Sequence, residues 1–155
     1  YASPAWSPWT KQDIDTLEQV QKRAVKRISG LEGTYEEKLA KLNLQTLSER
    51  RVRQDMIQTY KILNEIDHVE ANQWFTLAAE ESVRVTRQSS DPFNIKPQKS
   101  KTDVRKYFFS NRVVVNWNNL PSTIKQSVNT DQFKRSYDKY IRESVTVNRL
   151  QQEER

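Results

Sequence analysis

Lysine and arginine are the residues through which this chain could do chemistry, and what they offer is contact with anions rather than bond making. Lys22, Arg23, Lys26 and Arg27 recur at a spacing that gathers side chains on one side of a helix. Such a ridge can track the phosphates of a duplex. The plainer reading is that these bases complement a helix dipole and keep a face solvated. A second group is denser. Between residues 84 and 112 stand eight bases, Arg84, Arg87, Lys96, Lys99, Lys101, Arg105, Lys106 and Arg112, against Asp91 and Asp103, so this stretch carries the whole formal net charge of +6. A one-sided basic run attracts polyanions. Within it, residues 105–112 interleave bases with Tyr107, Phe108 and Phe109, which joins phosphate contacts to stacking surfaces. The same rings could equally be core. Arg50 and Arg51 complete the candidate nucleic-acid contacts.

The residue types that catalysis needs are scarce. A Ser nucleophile needs a base beside it, and the one histidine, His68, follows Asp67 in an acidic loop. Asp13 and Asp15 begin a helix and face two directions, so they do not converge as a two-metal site requires. With no cysteine there is no disulfide, zinc finger or thiol nucleophile. The two glycines, Gly30 and Gly33, cannot build a Gly-rich phosphate loop. No catalytic residue, metal or cofactor is expected in this segment, and an enzyme reading would need carboxylates assembled by folding. No apolar run approaches the ~20 residues of a membrane span, and the N-terminus lacks a signal-peptide core. The expectation is a soluble, intracellular protein, nuclear or cytoplasmic, without a membrane or small-molecule partner. A first residue of Tyr rather than Met suggests a piece of a longer polypeptide.

The elements that must position these charges read as helices. An apolar fraction of 35% and a charged fraction of 30% in 155 residues suit thin helical layers, and two glycines leave few tight turns for an all-β fold. The expected class is mainly α: a helical bundle with room for a small β-hairpin, and a second helical lobe at the C-terminus. Residues 1–12, with Pro4, Pro8, Trp6 and Trp9, predict an extended lead-in docked by its indoles. Residues 13–28 predict a helix with Ile14, Leu17, Val20, Ala24, Val25 and Ile28 on one face and the four bases opposite. Thr34 with Glu37 and Thr46 with Glu49 are capping boxes. They open a short helix and a longer one to about Ile66, with Val52, Met56, Tyr60 and Leu63 as its stripe and Arg50, Arg51, Gln58 and Lys61 across from it.

Residues 82–87 alternate as a strand does, with 94–96 as a return strand, and 98–102 read as polar linker. Residues 107–121 are the densest apolar block. Tyr107, Val114 and Trp117 share one side of a helix, Phe109, Val113 and Leu120 a second, Phe108 and Val115 a third, which predicts a buried helix of about fourteen residues. Ser110, Asn111 and Arg112 fall on its remaining stripe. Val113, Val114 and Val115 would also suit a strand, but the length and the Asn-rich end before Pro121 favour helix. Asn129 with Gln132 opens a last helix carrying Phe133, Tyr137, Tyr140 and Ile141, and beyond Val147 the polar tail is expected to fray. The predicted divisions are 1–66, 67–102 and 103–155.

Two blocks carry a resemblance. Tyr1-Ala-Ser-Pro-Ala-Trp-Ser-Pro-Trp followed by Asp13-Ile-Asp-Thr-Leu-Glu-Gln-Val-Gln-Lys-Arg-Ala, and Tyr107-Phe-Phe-Ser-Asn-Arg-Val-Val-Val-Asn-Trp-Asn-Asn-Leu-Pro with a later Phe133-Lys-Arg, resemble the C-terminal part of reverse transcriptases from LINE-type (non-LTR) retrotransposons, over residues 1 to 141. The resemblance implies that 1–66 is a thumb gripping a template–primer duplex, and the remainder a C-terminal region that helps hold element RNA or target DNA. It implies an upstream palm domain as a partner, with the carboxylates of that palm missing here. Lys22, Arg23, Lys26 and Arg27 would then track duplex phosphates. Some related elements carry a C-terminal zinc knuckle, which a chain without cysteine cannot form. The competing expectation is a protein-interaction or architectural module, whose Trp6, Trp9 and Trp74 pack on a palm domain or on a second copy.

Overall fold

The computed structural model describes residues 2–78 and 91–153, with side chains as far as residue 144. These residues are mainly α-helical, and among them the extended pairing is a single antiparallel bridge. The chain divides into two compact units, Tyr1–Met56 and Ile57–Arg155.

In the first unit, helix α1 spans Ser3–Trp6. Pro4 lies in its first turn, where the missing N–H is no loss, so the extended lead-in expected over 1–12 is corrected to one that opens on a short helix. Helix α2 spans Lys11–Lys26, two residues earlier than its periodicity suggested, because Thr10 caps it by accepting from the Asp13 N–H at 3.2 Å. Its apolar stripe is only partly covered: Val25 is buried, but Val20 is 64% exposed. Helix α3, Tyr35–Lys41, opens on the full Thr34/Glu37 capping box. Gly33 precedes it at φ +116°, and a Cβ there would collide with the Glu37 carboxylate that accepts from the Thr34 N–H. Helix α4 spans Leu47–Leu63, begins in this unit and ends in the next, and its Thr46/Glu49 cap is reciprocal at 2.9 and 3.1 Å. It ends three residues before Ile66, which is exposed.

The polar centre of the first unit is Glu18. Its spacing from Ile14, Gln21 and Val25 places it within the inward stripe of α2, and it is buried. The carboxylate accepts from the Tyr35 hydroxyl at 2.5 Å and from the Leu47 N–H at 3.0 Å, so one side chain joins α3 and the positive N-terminal end of α4 to α2. Gln21 supports the same hydroxyl at 3.1 Å and reaches the Gln45 carbonyl at 2.9 Å. Burial, with the hydrogen bond to Glu18 and the charge of Glu18, pushes the Tyr35 phenol up to about 12 from its ordinary 10.0. Folding thus favours the neutral phenol, a contribution complete below pH 10 and lost as pH rises through about 12. Glu18→Gln is expected to move the Tyr35 transition back toward 10.0 in a tyrosinate absorbance titration. An unmoved transition would count against this account.

In the second unit the aromatic core is a column. Phe133 is fully buried, with the Tyr60 ring stacked at 4.5 Å, Trp117 at 6.0 Å and Tyr137 at 6.1 Å between centroids. The Tyr60 hydroxyl donates to the Ser127 carbonyl at 2.5 Å, which settles the polar end of a buried ring. Helix α5 spans Asp103–Lys106 and helix α6 Phe109–Asn118. The helix expected over 107–121 therefore starts two residues later, at Phe109, and ends at Asn118, and Val113 to Val115 are helical. Ser110, Val113, Val114 and Trp117 make its inward face, so Ser110 is core rather than outer stripe. The third apolar side is not covered, since Val115 is 67% exposed and Phe108 39%. Helix α7 spans Ser122–Lys125, and helix α8 spans Thr130–Glu153, opened by Asn129 accepting from the Gln132 N–H at 2.8 Å. Its backbone stays helical past Val147, where fraying was expected, because Arg149, Leu150, Gln151, Gln152 and Glu153 are good helix formers.

Segment 91–98 is strapped to α6 by side chains. Asn118 accepts from the Ile95 N–H and donates to the Ile95 carbonyl, both at 2.9 Å, while Trp117 donates to the Phe93 carbonyl at 2.9 Å. Seven residues earlier on the helix, Asn111 accepts from the Gln98 N–H at 3.0 Å. On its other side, Ile95 forms the bridge with Leu77. The expected return strand at 94–96 is thus paired with 76–78, while its proposed partner at 82–87 lies outside the described residues. Asp91 anchors the start of the strap to α7. Its carboxylate takes hydrogen bonds from Lys125 Nζ and Ser122 Oγ, each at 2.8 Å, and the Lys125 side chain is 1% exposed.

Candidate nucleic-acid interface

The predicted contact residues fall into separate groups. In the first unit, Lys22, Arg23 and Lys26 lie on the second half of α2, Arg27 is its C-cap, and all four are exposed. The order of charge along α2, Asp13 first and Arg23 and Lys26 last, is the one the helix dipole favours. Lys22 Nζ lies 5.2 Å from the centre of the Tyr35 ring. Among the described residues Lys22, Arg23, Lys26 and Arg27 form no ion pair. Arg50 is exposed on α4.

Arg51 is corrected. It is 8% exposed and its Nη2 has no hydrogen-bond partner among the described residues, because α4 is covered on more than its expected stripe: Asp55, Met56, Ile57 and Thr59 are buried too. A guanidinium in that position cannot serve as a surface phosphate contact without rearrangement.

In the second unit, Lys99 and Lys101 are exposed ahead of α5, and Arg105 and Lys106 are exposed on it. Lys106 lies over Tyr107 at 5.3 Å and Arg105 over Phe108 at 5.4 Å. Lys96 is half-buried in the strap. Arg112 is half-buried as well, over the Phe109 ring at 5.6 Å and donating to the Tyr107 carbonyl at 3.4 Å, so it braces the break between α5 and α6. Arg84 and Arg87 lie outside the described residues. The structure therefore leaves Lys99, Lys101, Arg105 and Lys106 exposed within one short stretch and turns Arg112 toward packing.

No group of three or more acidic or histidine side chains among the described residues could hold a metal, and no described helix is long and apolar enough to cross a membrane. No family model matches the chain, and no curated protein or solved structure matches it.

Several residues that shape this surface were not anticipated. Gln98, Asn111 and Asn118 hold the strap through amides, and amides leave no mark in hydrophobic period or charge. Glu18 did leave one, as an acid within an otherwise inward helical stripe. Lys125 left none, since a lysine on a short helix is ordinarily solvated.

Proposed function

We propose that this chain is the nucleic-acid-binding C-terminal portion of a non-LTR retrotransposon RNA-directed DNA polymerase, or of a product derived from one. It holds template–primer or element RNA within the cell, contributes no catalytic residue and works beside an upstream palm domain. The observation that carries the reading is the exposed ridge of Lys22, Arg23, Lys26 and Arg27, none of them in an ion pair among the described residues. Each such base can displace a counterion from a phosphate, so affinity follows charge and salt rather than sequence. The Lys99 to Lys106 group adds a second set of contacts.

The test is a titration of the chain with labelled single-stranded RNA, RNA–DNA hybrid and duplex DNA at about 50 and about 200 mM salt, where six phosphate contacts correspond to a loss of ~10³ in affinity. Arg23→Glu and Arg27→Glu are expected to weaken all duplexes alike and to lower the salt slope by about 1 each. Binding that ignores salt, or no binding at low salt, would sink the reading.

A second reading rests on the indoles. Trp6 is 52% exposed and Trp9 46%, areas of a kind that serve protein contacts. A mass that rises with concentration, and falls in Trp6→Ser and Trp9→Ser, would favour an interaction module over a nucleic-acid grip.

A further inference from the structure

Arg105, Phe108 and Trp74 form a graded stack at the break between α5 and α6. The Trp74 and Phe108 rings are 6.1 Å apart between centroids and only 9° from parallel, and the Arg105 guanidinium carbon is 5.4 Å from the Phe108 centroid. Trp74 is half-buried and Phe108 is 39% exposed, while Arg105 is exposed, so the stack runs from the packed interior outward.

Its outer member, Arg105, is held by a closed set of hydrogen bonds from two side-chain amides. Gln98 Oε1 accepts from Arg105 Nη2 at 2.5 Å, and Gln98 Nε2 donates to the Trp74 carbonyl at 3.3 Å. Asn111 binds the Gln98 N–H at 3.0 Å and donates to the Arg105 carbonyl at 2.9 Å. Two amide side chains thus fix both the backbone and the guanidinium of Arg105 relative to the rings. Solvation alone needs no such restraint on a surface arginine. A flat, delocalised cation above aromatic rings is, however, the surface on which a nucleobase stacks.

The charge beside it fits the rest of a nucleotide. Lys99, Lys101 and Lys106 are exposed within a few residues, and Asp103 is the one acid between residues 96 and 112. We propose that the Arg105–Phe108–Trp74 stack is a platform for an unpaired nucleobase, with Lys99, Lys101 and Lys106 taking the flanking phosphates. The base must be unpaired and splayed from its neighbours, because in a duplex both of its faces are already stacked. The proposal rests on the nucleic-acid reading above and adds to it a preference for single strands at this place.

The test separates base from phosphate. The full chain is titrated with an adenine-bearing single strand of about ten nucleotides, as RNA and as DNA, and with an abasic strand of equal length, a span within the usual single-strand site sizes. The adenine strands are expected to bind about tenfold more tightly than the abasic one, as one stacked base ordinarily gives. Phe108→Leu keeps an apolar cover on the half-exposed site and is expected to bring that ratio near unity while leaving abasic affinity unchanged. Lys99→Glu is expected to weaken adenine and abasic strands alike, with the ratio kept. A tenfold ratio in both sugars assigns the contact to the base, and a ratio in RNA alone assigns it to an RNA single strand. Equal binding of adenine and abasic strands by the unaltered chain overturns the platform while sparing the phosphate reading. No binding of any strand at low salt overturns both.

Discussion

Phe133→Ala is expected to destabilise the second unit by ~3–5 kcal/mol, the usual cost of emptying a fully buried aromatic site. The ring has 0% exposure and stands between Tyr60, Trp117 and Tyr137 in near-parallel contacts, with interplanar angles of 20°, 24° and 21°. Removing it leaves three large rings facing a void. They collapse poorly, because the Tyr60 hydroxyl is tied to the Ser127 carbonyl and the Trp117 indole to the Phe93 carbonyl. Urea unfolding followed by the Trp117 indole N–H resonance reads this unit directly. Phe133→Leu, which keeps most of the apolar volume, is expected to lose much less. Equal, small losses in both variants would mean that the column is not what holds α4, α6 and α8 together.

Lys125→Met is expected to cost ~3–5 kcal/mol at neutral pH, as when one partner of a buried ion pair is removed. The ammonium is nearly inaccessible and reaches both Asp91 Oδ2 at 2.8 Å and Asn94 Oδ1 at 2.6 Å. Burial by itself would raise the Asp91 carboxyl. Hydrogen bonds from Lys125, the Phe93 N–H and Ser122, with the charge of Lys125, outweigh it and hold the group below its ordinary 3.8. The pair therefore contributes stability that is present above the unfolded carboxyl value and lost as pH falls through the depressed folded one. In Lys125→Met the carboxyl loses its main counter-charge and protonates at higher pH. The gap between the variant and the unaltered chain should narrow on acidification, as Asp91 becomes neutral in both. A gap that stays constant as pH falls from 7 to well below the ordinary carboxyl value of 3.8 would assign the loss to packing of the lysine stem instead.

The parts of this fold that were legible in the sequence are those whose signals are local. The caps at Thr34, Thr46 and Asn129 work over three residues, so residue identity nearly determines them. The helical reading of Val113 to Val115 also held, because ten residues supplied a continuous inward face. What escaped depends on who arrives from elsewhere. A helical wheel showed three apolar sides on the 107–121 block but not that Val115 would receive no cover, and it placed Arg51 outward although α4 is packed broadly. The candidate site divides the same way. Exposure of Lys22, Arg23, Lys26 and Arg27 followed from period, whereas the restraint of Arg105 comes from Gln98 and Asn111, neither marked by type or spacing. Whether a basic ridge meets phosphate or only water is a question that residue types leave open, since both use the same side chains.

The grip of Asn118 on Ile95 has a consequence for self-association. In an antiparallel bridge, alternate residues turn their N–H and C=O groups away from the partner strand. Here Asn94 and Lys96 bond to Ala78 and Thr76, and Ile95 faces outward. Those outward groups would ordinarily form an open edge on which another chain's strand could add. Asn118 fills both with one carboxamide, which has the donor–acceptor pattern of a peptide group but no chain beyond it. That edge of the ribbon is thereby closed by a helix, and among the described residues the backbone at Ile95 offers nothing for an aggregate to grow from.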